Sequence, residues 1–270
     1  MTATAIVAAA LGILVGAVVG GLGGGGGVLT VPALVYVLGQ NAHDATTGGV
    51  LIVGVTALVG AVARIRERGV EWRTGIAFGA VGIPAAYLGT LLNRRVDQPV
   101  LLIAFACLTL LAAAAMLWRG DEHPDDQLEP DGGAGAAVAT VHATATALAV
   151  KIVVCGVVTG FLTGFLGVGG GFLVVPALVV VLGMPMSLAI GTSLFIIVLN
   201  AASSVLSRAT DLHLDWMVIA PFTAAAIVAS LVAKRVACRL SGTTLSRAFA
   251  VVLGVVGLFV AVQSVAALVG

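Results

Sequence analysis

Long uninterrupted runs of apolar residues constrain this chain more than any other feature of its sequence. Crossing the hydrocarbon core of a bilayer takes about 20 helical residues. Eight apolar runs of about that length and two shorter ones lie at 4–22, 45–65, 74–93, 99–118, 145–166, 187–207, 216–233 and 246–268, and at 28–39 and 172–183. An outer-membrane barrel would instead show alternating segments of about ten residues. The sequence therefore predicts an all-α polytopic membrane protein.

Composition excludes most other classes of protein. Of the 270 residues, 60% are apolar and 9% are charged, against about 45–50% and about 25% in globular proteins. So few charges cannot cover a water-soluble enzyme of this size, and the lipid bilayer is the expected surrounding. The net charge of +1 gives no reason to expect a nucleic-acid partner. Cys107, Cys155 and Cys238 lack metal-ligand spacing, so no metal or cofactor is predicted.

The chain contains an internal duplication with an offset of 144 residues. At that offset, residues 20–39 fall on residues 164–183, and 15 of the 20 positions are identical. Outside this segment, Trp72 falls on Trp216. A general bias toward apolar residues does not align one tryptophan with another. The sequence is therefore expected to fold as two related transmembrane halves.

The duplication divides the chain into a first repeat over 1–118, an acidic linker over 119–140 and a second repeat over 141–270. Lys and Arg concentrate on the cytoplasmic side of membrane proteins. With an odd number of crossings per repeat, the repeats are inverted and nine flanking basic residues share one side, against three on the other: Arg64, Arg66, Arg68, Arg73, Arg119, Lys234, Arg235, Arg239 and Arg247, against Arg94, Arg95 and Arg208. An even number divides them six against six. The bias predicts inverted repeats, with both termini outside and the linker in the cytoplasm.

Each repeat contains one apolar run that is too short to cross the bilayer. A 12-residue helix over 28–39 rises about 18 Å, little more than half of a core about 30 Å thick. Such a segment is either re-entrant or half of a broken helix, and both options leave the preceding glycines deep in the membrane. Irregular backbone at that depth is tolerated only when it is buried in protein or lines a cavity. The two segments are therefore expected to meet near a pseudo-two-fold axis.

A glycine run precedes each short segment and supplies the main candidates for substrate binding: Gly23, Gly25, Gly26 and Gly27 in the first repeat, and Gly167, Gly169, Gly170 and Gly171 in the second. Glycine has no Cβ atom, so its backbone can approach a ligand closely. The first N–H groups of a helix have no internal partner and carry about half a positive charge. Two facing helix starts would hold an oxyanion without a buried lysine or arginine. The alternative is that these glycines serve close helix packing alone, as is predicted for Gly12, Gly16, Gly20, Gly156, Gly160 and Gly164.

Polar residues near these segments form a second group of candidates. Hydroxyl residues begin the helices that follow the short segments, namely Thr46, Thr47, Thr192 and Ser193. They either donate to a bound anion or form hydrogen bonds within the structure. Lys151 either extends to the membrane surface, or it attracts the anion or takes part in proton coupling. Arg64 and Arg208 end equivalent runs, where they either anchor the interface or form a pair of gate charges.

The doubled pattern GLGGGGGVLTVPAL and GFLGVGGGFLVVPAL, together with AIGTSLF at 189–195, resembles the TauE/SafE sulfite exporter family. The resemblance covers nearly the whole chain. It implies a prokaryotic inner-membrane transporter of sulfur-containing anions such as sulfite, thiosulfate or organosulfonates. It also implies substrate contacts at the glycine loops and at Thr192 and Ser193. The first repeat departs from this pattern with ATTGGV at 45–50, so the two halves are not expected to contribute equally.

The function predicted from these features is secondary active export of a small sulfur-containing oxyanion, bound at the midplane by the paired helix starts. An ion gradient is the expected energy source because the sequence carries no ATP-binding motif. An anion channel or an uptake permease with the same pocket is the alternative. An enzyme is not predicted, because no nucleophile–base pair or metal-ligand cluster is visible at membrane depth. The oligomeric state is left open, with a homodimer as one option.

Overall fold

The computed structural model describes residues 2–24, 26–40, 42–65, 69–93, 96, 98–119, 137–166, 171–207 and 215–269. The regular elements in these ranges are all helical. They are α1 (Thr2–Leu22), α2 (Gly26–Pro32), α3 (Ala42–Ile65), α4 (Trp72–Asn93), α5 (Gln98–Arg119), α6 (Ala137–Leu166), α7 (Gly171–Pro176), α8 (Met186–Ser207), α9 (Trp216–Ala237) and α10 (Gly242–Val269). A π-helical turn continues α2 over Ala33–Val37 and α7 over Ala177–Val181.

Seven helices of the described ranges are long and apolar enough to cross a membrane. A further helix, α5, has 22 residues, with an apolar part at Ile103–Trp118. A helix satisfies its own backbone hydrogen bonds, which is what a segment in hydrocarbon requires. Large apolar side chains such as Leu111, Leu258 and Trp118 are exposed on these helices, as expected of a surface that faces lipid. The predicted all-α polytopic class is confirmed.

The helices of each half pack mainly on helices of the other half. The helix α1 lies against α9, α4 lies against α6, α5 lies against α10 and α3 lies against α8. The two short helices α2 and α7 also contact each other. One hydrophobic core therefore joins side chains from both halves, including Leu34, Ile52, Phe172, Ile190 and Phe222.

Glycines bring two of these helix pairs together until backbone meets backbone. Three glycines of α1 meet three residues of α9: Gly12 meets Phe222, Gly16 meets Ala226 and Gly20 meets Ser230. Three glycines of α6 meet three residues of α4: Gly156 meets Phe78, Gly160 meets Gly82 and Gly164 meets Ala86. Most of these positions leave no space for a Cβ atom beside the facing backbone. The prediction that these six glycines serve close packing is confirmed.

The order of the glycine contacts gives the relative directions of the helices. Residue numbers rise together along α1 and α9 and along α4 and α6, so each pair is parallel. Further contacts relate α3 and α4 to α8 and α9: Gly75 meets Phe195, Gly79 meets Leu199, Gly54 meets Ala201, Gly60 meets Leu194 and Ser230, and Gly48 meets Ile219. By these contacts α4 is parallel to α8, α3 is antiparallel to α8, and α3 is parallel to α9. Thus α1, α3 and α9 run one way, while α4, α6 and α8 run the other way.

The two tryptophans that the duplication aligns occupy equivalent places in the fold. Trp72 begins α4 and Trp216 begins α9, and both side chains are exposed. Asp215 caps α9, because its carboxylate accepts a hydrogen bond from the Met217 N–H at 3.0 Å. Two residues that are 144 positions apart in the sequence thus begin corresponding helices of the two halves.

The region predicted as a linker over 119–140 falls between α5 and α6. The helix α5 ends at Arg119 and α6 begins at Ala137, so residues 137–140 are helical. Residues 120–136 lie outside the described ranges. The division into repeats over 1–118 and 141–270 therefore stays a prediction, with a helix start that precedes the expected second boundary.

Candidate functional site

The residue that follows α1 is a glycine with a backbone conformation that other residues rarely adopt. Gly23 has a φ of +82°, and its N–H donates to the Val19 carbonyl at 2.9 Å, which closes the last turn of α1. The chain then reverses, because Gly26 at the start of α2 packs on Val15 and Val19 of α1. Gly25 lies outside the described ranges. The first break is therefore a glycine turn between α1 and a short helix that runs back along it.

The second break lies between the end of α6 at Leu166 and the start of α7 at Gly171. The predicted binding residues Gly167, Gly169 and Gly170 lie outside the described ranges. Gly171 is buried, and a Cβ atom built on it would lie 2.6 Å from Ile197 Cδ1. Ile197 follows the first residue of α8 by 11 positions and precedes the last by ten. The start of α7 is therefore level with the middle of α8.

The two breaks touch each other across the boundary between the halves. A Cβ atom at Gly24 would overlap the Gly171 carbonyl oxygen and would lie 3.0 Å from Val175 Cγ2. A Cβ atom at Gly171 would lie 3.0 Å from the Gly24 carbonyl oxygen. Backbone thus faces backbone, with no space for a side chain at either position. The glycines that the structure describes here are all buried, namely Gly23, Gly24, Gly26, Gly27 and Gly171.

Two consecutive hydroxyls of α8 tie this helix to its neighbours, one of them to the first break. Ser193 Oγ lies 2.8 Å from the carbonyl oxygens of both Gly23 and Ile190, and its single proton can donate to one of them at a time. Thr192 Oγ1 accepts a hydrogen bond from the Glu71 N–H at 3.0 Å. Both side chains are fully buried. These predicted substrate contacts therefore also serve as ties between α8 and its neighbours.

The segment between α3 and α4 is a part of the site that sequence analysis does not identify. Gly69 presents its carbonyl oxygen to Gly191, where a Cβ atom would overlap it. Val70 is buried beside it, and the Glu71 N–H reaches Thr192. The one sequence signal for this contact is the AIGTSL pattern, because its glycine, Gly191, lets the segment between α3 and α4 approach α8. The segment closes the start of α8 from one side.

The predicted hydroxyl residues of the first half, Thr46 and Thr47, are placed differently from Thr192 and Ser193 of the second half. Thr46 and Thr47 are near the start of α3, and Thr47 is buried. The next two residues, Gly48 and Gly49, pack on Leu34 and on Val31 of the first short helical segment. Thr46 and Thr47 are thus beside that segment, whereas Ser193 contacts the break directly.

Lys151 lies far along α6 from the break. Its side chain is exposed, near the start of the apolar span Leu148–Leu166. It precedes Leu166, the last residue of α6, by 15 residues, which corresponds to about 22 Å along a helix. The structure therefore holds Lys151 far from the end of α6 that precedes the second break, and its position near the other end of the span agrees with extension to the membrane surface.

Arg64 lies close to the first break. It is only 5% exposed, and its Nη2 donates to the Gly20 carbonyl oxygen at 2.8 Å, three residues before Gly23. On the adjacent helix α9, Lys234 Nζ donates to the Ala63 carbonyl oxygen at 2.6 Å. Arg208, the counterpart of Arg64 at the repeat offset, lies outside the described ranges. Of the predicted gate charges, Arg64 is thus bound to the end of α1.

Both short helical segments end in the same way. Pro32 and Pro176 each precede a π-helical turn, since a proline inside a helix removes a hydrogen bond and displaces the preceding backbone. The chain then leaves the helix at Gly39 and Gly183, with φ of +66° and +67°. The segments predicted at 28–39 and 172–183 are therefore short helices, and the duplication extends to their backbone.

The described part of the site offers main-chain amides, main-chain carbonyls and two hydroxyls. Among the described residues, no group of three or more His, Cys, Asp or Glu side chains is placed to hold a metal ion. A site of this kind recognises a solute through hydrogen bonds and helix dipoles.

The fold and the site together define a class of protein, the multi-pass helical membrane proteins in which a short helix of each half contacts that of the other, an arrangement typical of transporters. Comparison with known proteins identifies the particular family. The model of the family described as Sulfite exporter TauE/SafE matches residues 8–260. The chain therefore belongs to the TauE/SafE sulfite exporter family, and the resemblance noted from its glycine motifs is confirmed.

The relatives agree with this assignment. Two proteins named probable membrane transporter protein, from Xylella fastidiosa strains Temecula1 and 9a5c, are 33% and 32% identical to this chain, and each match covers 98% of the chain and 97% of the relative. The probable membrane transporter protein YunE of Bacillus subtilis strain 168 is 23% identical, over 78% of this chain and 81% of its own length. No solved structure matches the chain. The protein is a membrane transporter and not an enzyme.

Proposed function

We propose that the protein carries a small sulfur-containing oxyanion, such as sulfite, thiosulfate or an organosulfonate, out of the cell across the inner membrane of a prokaryote. The family description supports the substrate class and the direction. The observation that carries the proposal is the contact between Gly24 and Gly171. It joins the turn that precedes α2 to the start of α7 in the other half, at the level of the middle of α8.

The chemistry of this junction suits an oxyanion. Each helix start carries about half a positive charge and N–H groups without an internal partner. Because the residues are glycines, a ligand can reach the main chain directly. We assign substrate binding to the glycine runs and to the adjacent hydroxyls, namely Gly23, Gly25, Gly26, Gly27, Gly167, Gly169, Gly170, Gly171, Thr46, Thr47, Thr192 and Ser193. Such a site needs no buried lysine or arginine at the anion itself.

The described conformation corresponds to a closed state in this proposal. Thr192, Ser193 and those glycines of the site that lie in the described ranges are buried, and the segment from Gly69 to Glu71 lies on the start of α8. Opening therefore requires this segment to move away from Thr192 on one side. Alternating access would come from movement of the helices of one half against those of the other half, around the contact between Gly24 and Gly171. Arg64 would act as a gate charge that releases the end of α1 when its hydrogen bond to Gly20 breaks.

We infer that the two halves are inverted with respect to each other. In support of this, α1 and α3 run opposite to their counterparts α6 and α8, and α4 runs opposite to α9. The excess of basic residues on one side then puts both termini outside and the linker in the cytoplasm.

Cysteine labelling tests this topology. In a variant without native cysteines, a cysteine replacing Thr210 should react with an impermeant maleimide on intact spheroplasts. A cysteine replacing Arg66 should react only after the membrane is permeabilised. Mass spectrometry of the labelled protein gives the readout. Labelling of both cysteines from the same side would contradict the inverted arrangement.

Transport itself is tested with purified protein in liposomes. We expect saturable flux of at least one of sulfite, thiosulfate and ethanesulfonate, well above the flux in protein-free liposomes, and no comparable flux of chloride. Turnover should stay in the range of a carrier. Equal and non-saturable flux of all four anions, or unitary currents in planar bilayers, would show that the protein is an anion channel and not a carrier. If none of the sulfur-containing anions is transported, the proposed substrate class is wrong.

A further inference from the structure

Ser230 is the buried polar side chain that the site does not explain. It is fully buried in α9, and in the part of the chain that the structure describes its Oγ has no hydrogen-bond partner. Buried hydroxyls in helices usually donate to the carbonyl four residues earlier, as Thr30, Thr56 and Thr109 do here. A buried hydroxyl without a partner is unfavourable. Among the described residues, this hydroxyl is therefore available to donate to a ligand.

Helix packing does not require this hydroxyl. Gly20 of α1 meets the backbone of Ser230, and its counterpart Gly164 meets the backbone of Ala86 through the same three atoms. Ala86 and Ser230 are themselves related by the 144-residue offset. Alanine thus fills the equivalent position in the other half, so the Oγ atom is an addition to the packing and not a part of it.

The Oγ atom points between three helices next to the glycine junction. A Cβ atom built on Gly60 of α3 would lie 3.6 Å from Ser230 Oγ and 3.2 Å from Leu194 Cδ1 of α8. Leu194 follows Ser193, which binds the Gly23 carbonyl. The hydroxyl is therefore near the first break, on the side of α1 that faces α3 and α9.

A buried cation lies on the same side. Arg64 is one helical turn after Gly60 and donates to the carbonyl of Gly20, the residue at which a Cβ atom would overlap the backbone of Ser230. Arginine stays charged at all physiological pH values, and its field is only weakly screened when it is buried. A hydroxyl donor and a buried positive charge that both lie next to Gly20 form a combination that attracts an anion.

We propose that Ser230 forms a second binding position for the transported oxyanion, between the glycine junction and the Arg64 end of the bundle. The Oγ–H donates to an anion oxygen, and the Arg64 guanidinium attracts the anion through space while it keeps its bond to Gly20. This inference rests on the proposed function and adds a step to the route. An anion would leave the junction and pause at Ser230 before it reaches the surface on that side.

The Ser230→Ala variant tests the proposal because alanine already occupies the equivalent site. Without added anion, its melting temperature should be equal to or above that of the wild type, since no hydrogen bond is lost. With the anion that the wild type transports, KM in liposomes should rise about tenfold or more, as expected for loss of a hydrogen bond to a charged ligand. Stabilisation of the detergent-solubilised protein by sulfite, thiosulfate or ethanesulfonate should weaken in parallel.

Thr56→Val is the matched control. Thr56 is also fully buried, but its hydroxyl donates to Ile52 in its own helix, so the variant should keep the wild-type KM. An unchanged KM in Ser230→Ala, or a fall in its melting temperature without anion, would overturn the second position and leave the proposed function intact. A wild type that responds to none of the anions would overturn the proposed function, and this inference with it.

Discussion

Replacing Gly24 with alanine is expected to abolish anion transport while the protein stays folded. The new Cβ atom would overlap the Gly171 carbonyl oxygen and press on Val175. The carbonyl belongs to the main chain of the other half, so no change of side-chain rotamer relieves the overlap. The two helix starts must separate, and the donors that we assign to the anion lose their common geometry. Because the overlap occurs in a turn, the turn can shift and absorb the strain, which for added methyl groups in a packed interior is about 1–3 kcal/mol.

The measurement is flux of the transported anion in liposomes, together with helical content by circular dichroism and elution volume. Gly254→Ala is the control, because a Cβ atom at Gly254 meets no atom within 4 Å. The control should transport at the wild-type rate. Full transport by Gly24→Ala at wild-type KM would remove the glycine junction from the mechanism. The family assignment would then stand without a proposed binding site.

The fold class could be predicted almost completely from the sequence, because hydrophobic length is a local property. The short segments expected at 28–39 and 172–183 are helical over 26–37 and 171–181, with an offset of one or two residues. The duplication likewise marks matching helix starts at Trp72 and Trp216. Helix directions and helix partners could not be predicted in this way. They depend on which glycine meets which backbone, as Gly16 meets Ala226, and the two residues lie more than 200 positions apart.

The site could be predicted only in part, for the same physical reason. The glycine runs indicate where the main chain is accessible, and the structure brings their described members together. Gly24 is not singled out, because its counterpart at the repeat offset is Val168. Ser193 was expected at the ligand, yet its Oγ lies within hydrogen-bond distance of the Gly23 carbonyl, 170 residues away. A hydroxyl that orients the peptide next to a ligand gives the same sequence pattern as one that binds the ligand.

The two halves differ in sequence at the start of α3 and α8, with ATTGGV at 45–50 and AIGTSL at 189–194, and they differ in structure at the same place. At the repeat offset, Thr192 and Ser193 correspond to Gly48 and Gly49. A Cβ atom would lie close to Ile219 at Gly48 and close to Val31 at Gly49, whereas Thr192 and Ser193 form hydrogen bonds to Glu71 and Gly23. Each half thus uses these two positions differently, one for close approach and one for polar ties. The junction is pseudo-symmetric in its backbone and asymmetric in its hydroxyl groups.

A large loss of stability is expected from Gly16→Ala. Gly16 lies in the middle of the contact between α1 and α9, and its Cβ atom would overlap the carbonyl oxygen of Ala226 and approach its Cα at 2.6 Å. Both partners are regular helices, so neither backbone can shift locally as a turn does. We expect destabilisation of about 3 kcal/mol, the upper end for added methyl groups, and a melting temperature lower by roughly 10 °C. Thermal unfolding of the detergent-solubilised protein measures the change.

The same helix supplies a control that separates this contact from the general effect of alanine. A Cβ atom at Gly21 would meet only Ala233 Cβ, at an ordinary distance of 3.7 Å. Alanine is a better helix former than glycine by about 1 kcal/mol, so Gly21→Ala should melt at or above the wild-type temperature. Opposite shifts in the two variants would show that α1 depends on backbone contact with α9 from the other half. Equal melting temperatures for Gly16→Ala and Gly21→Ala would mean that the two helices are not in close contact in the membrane protein.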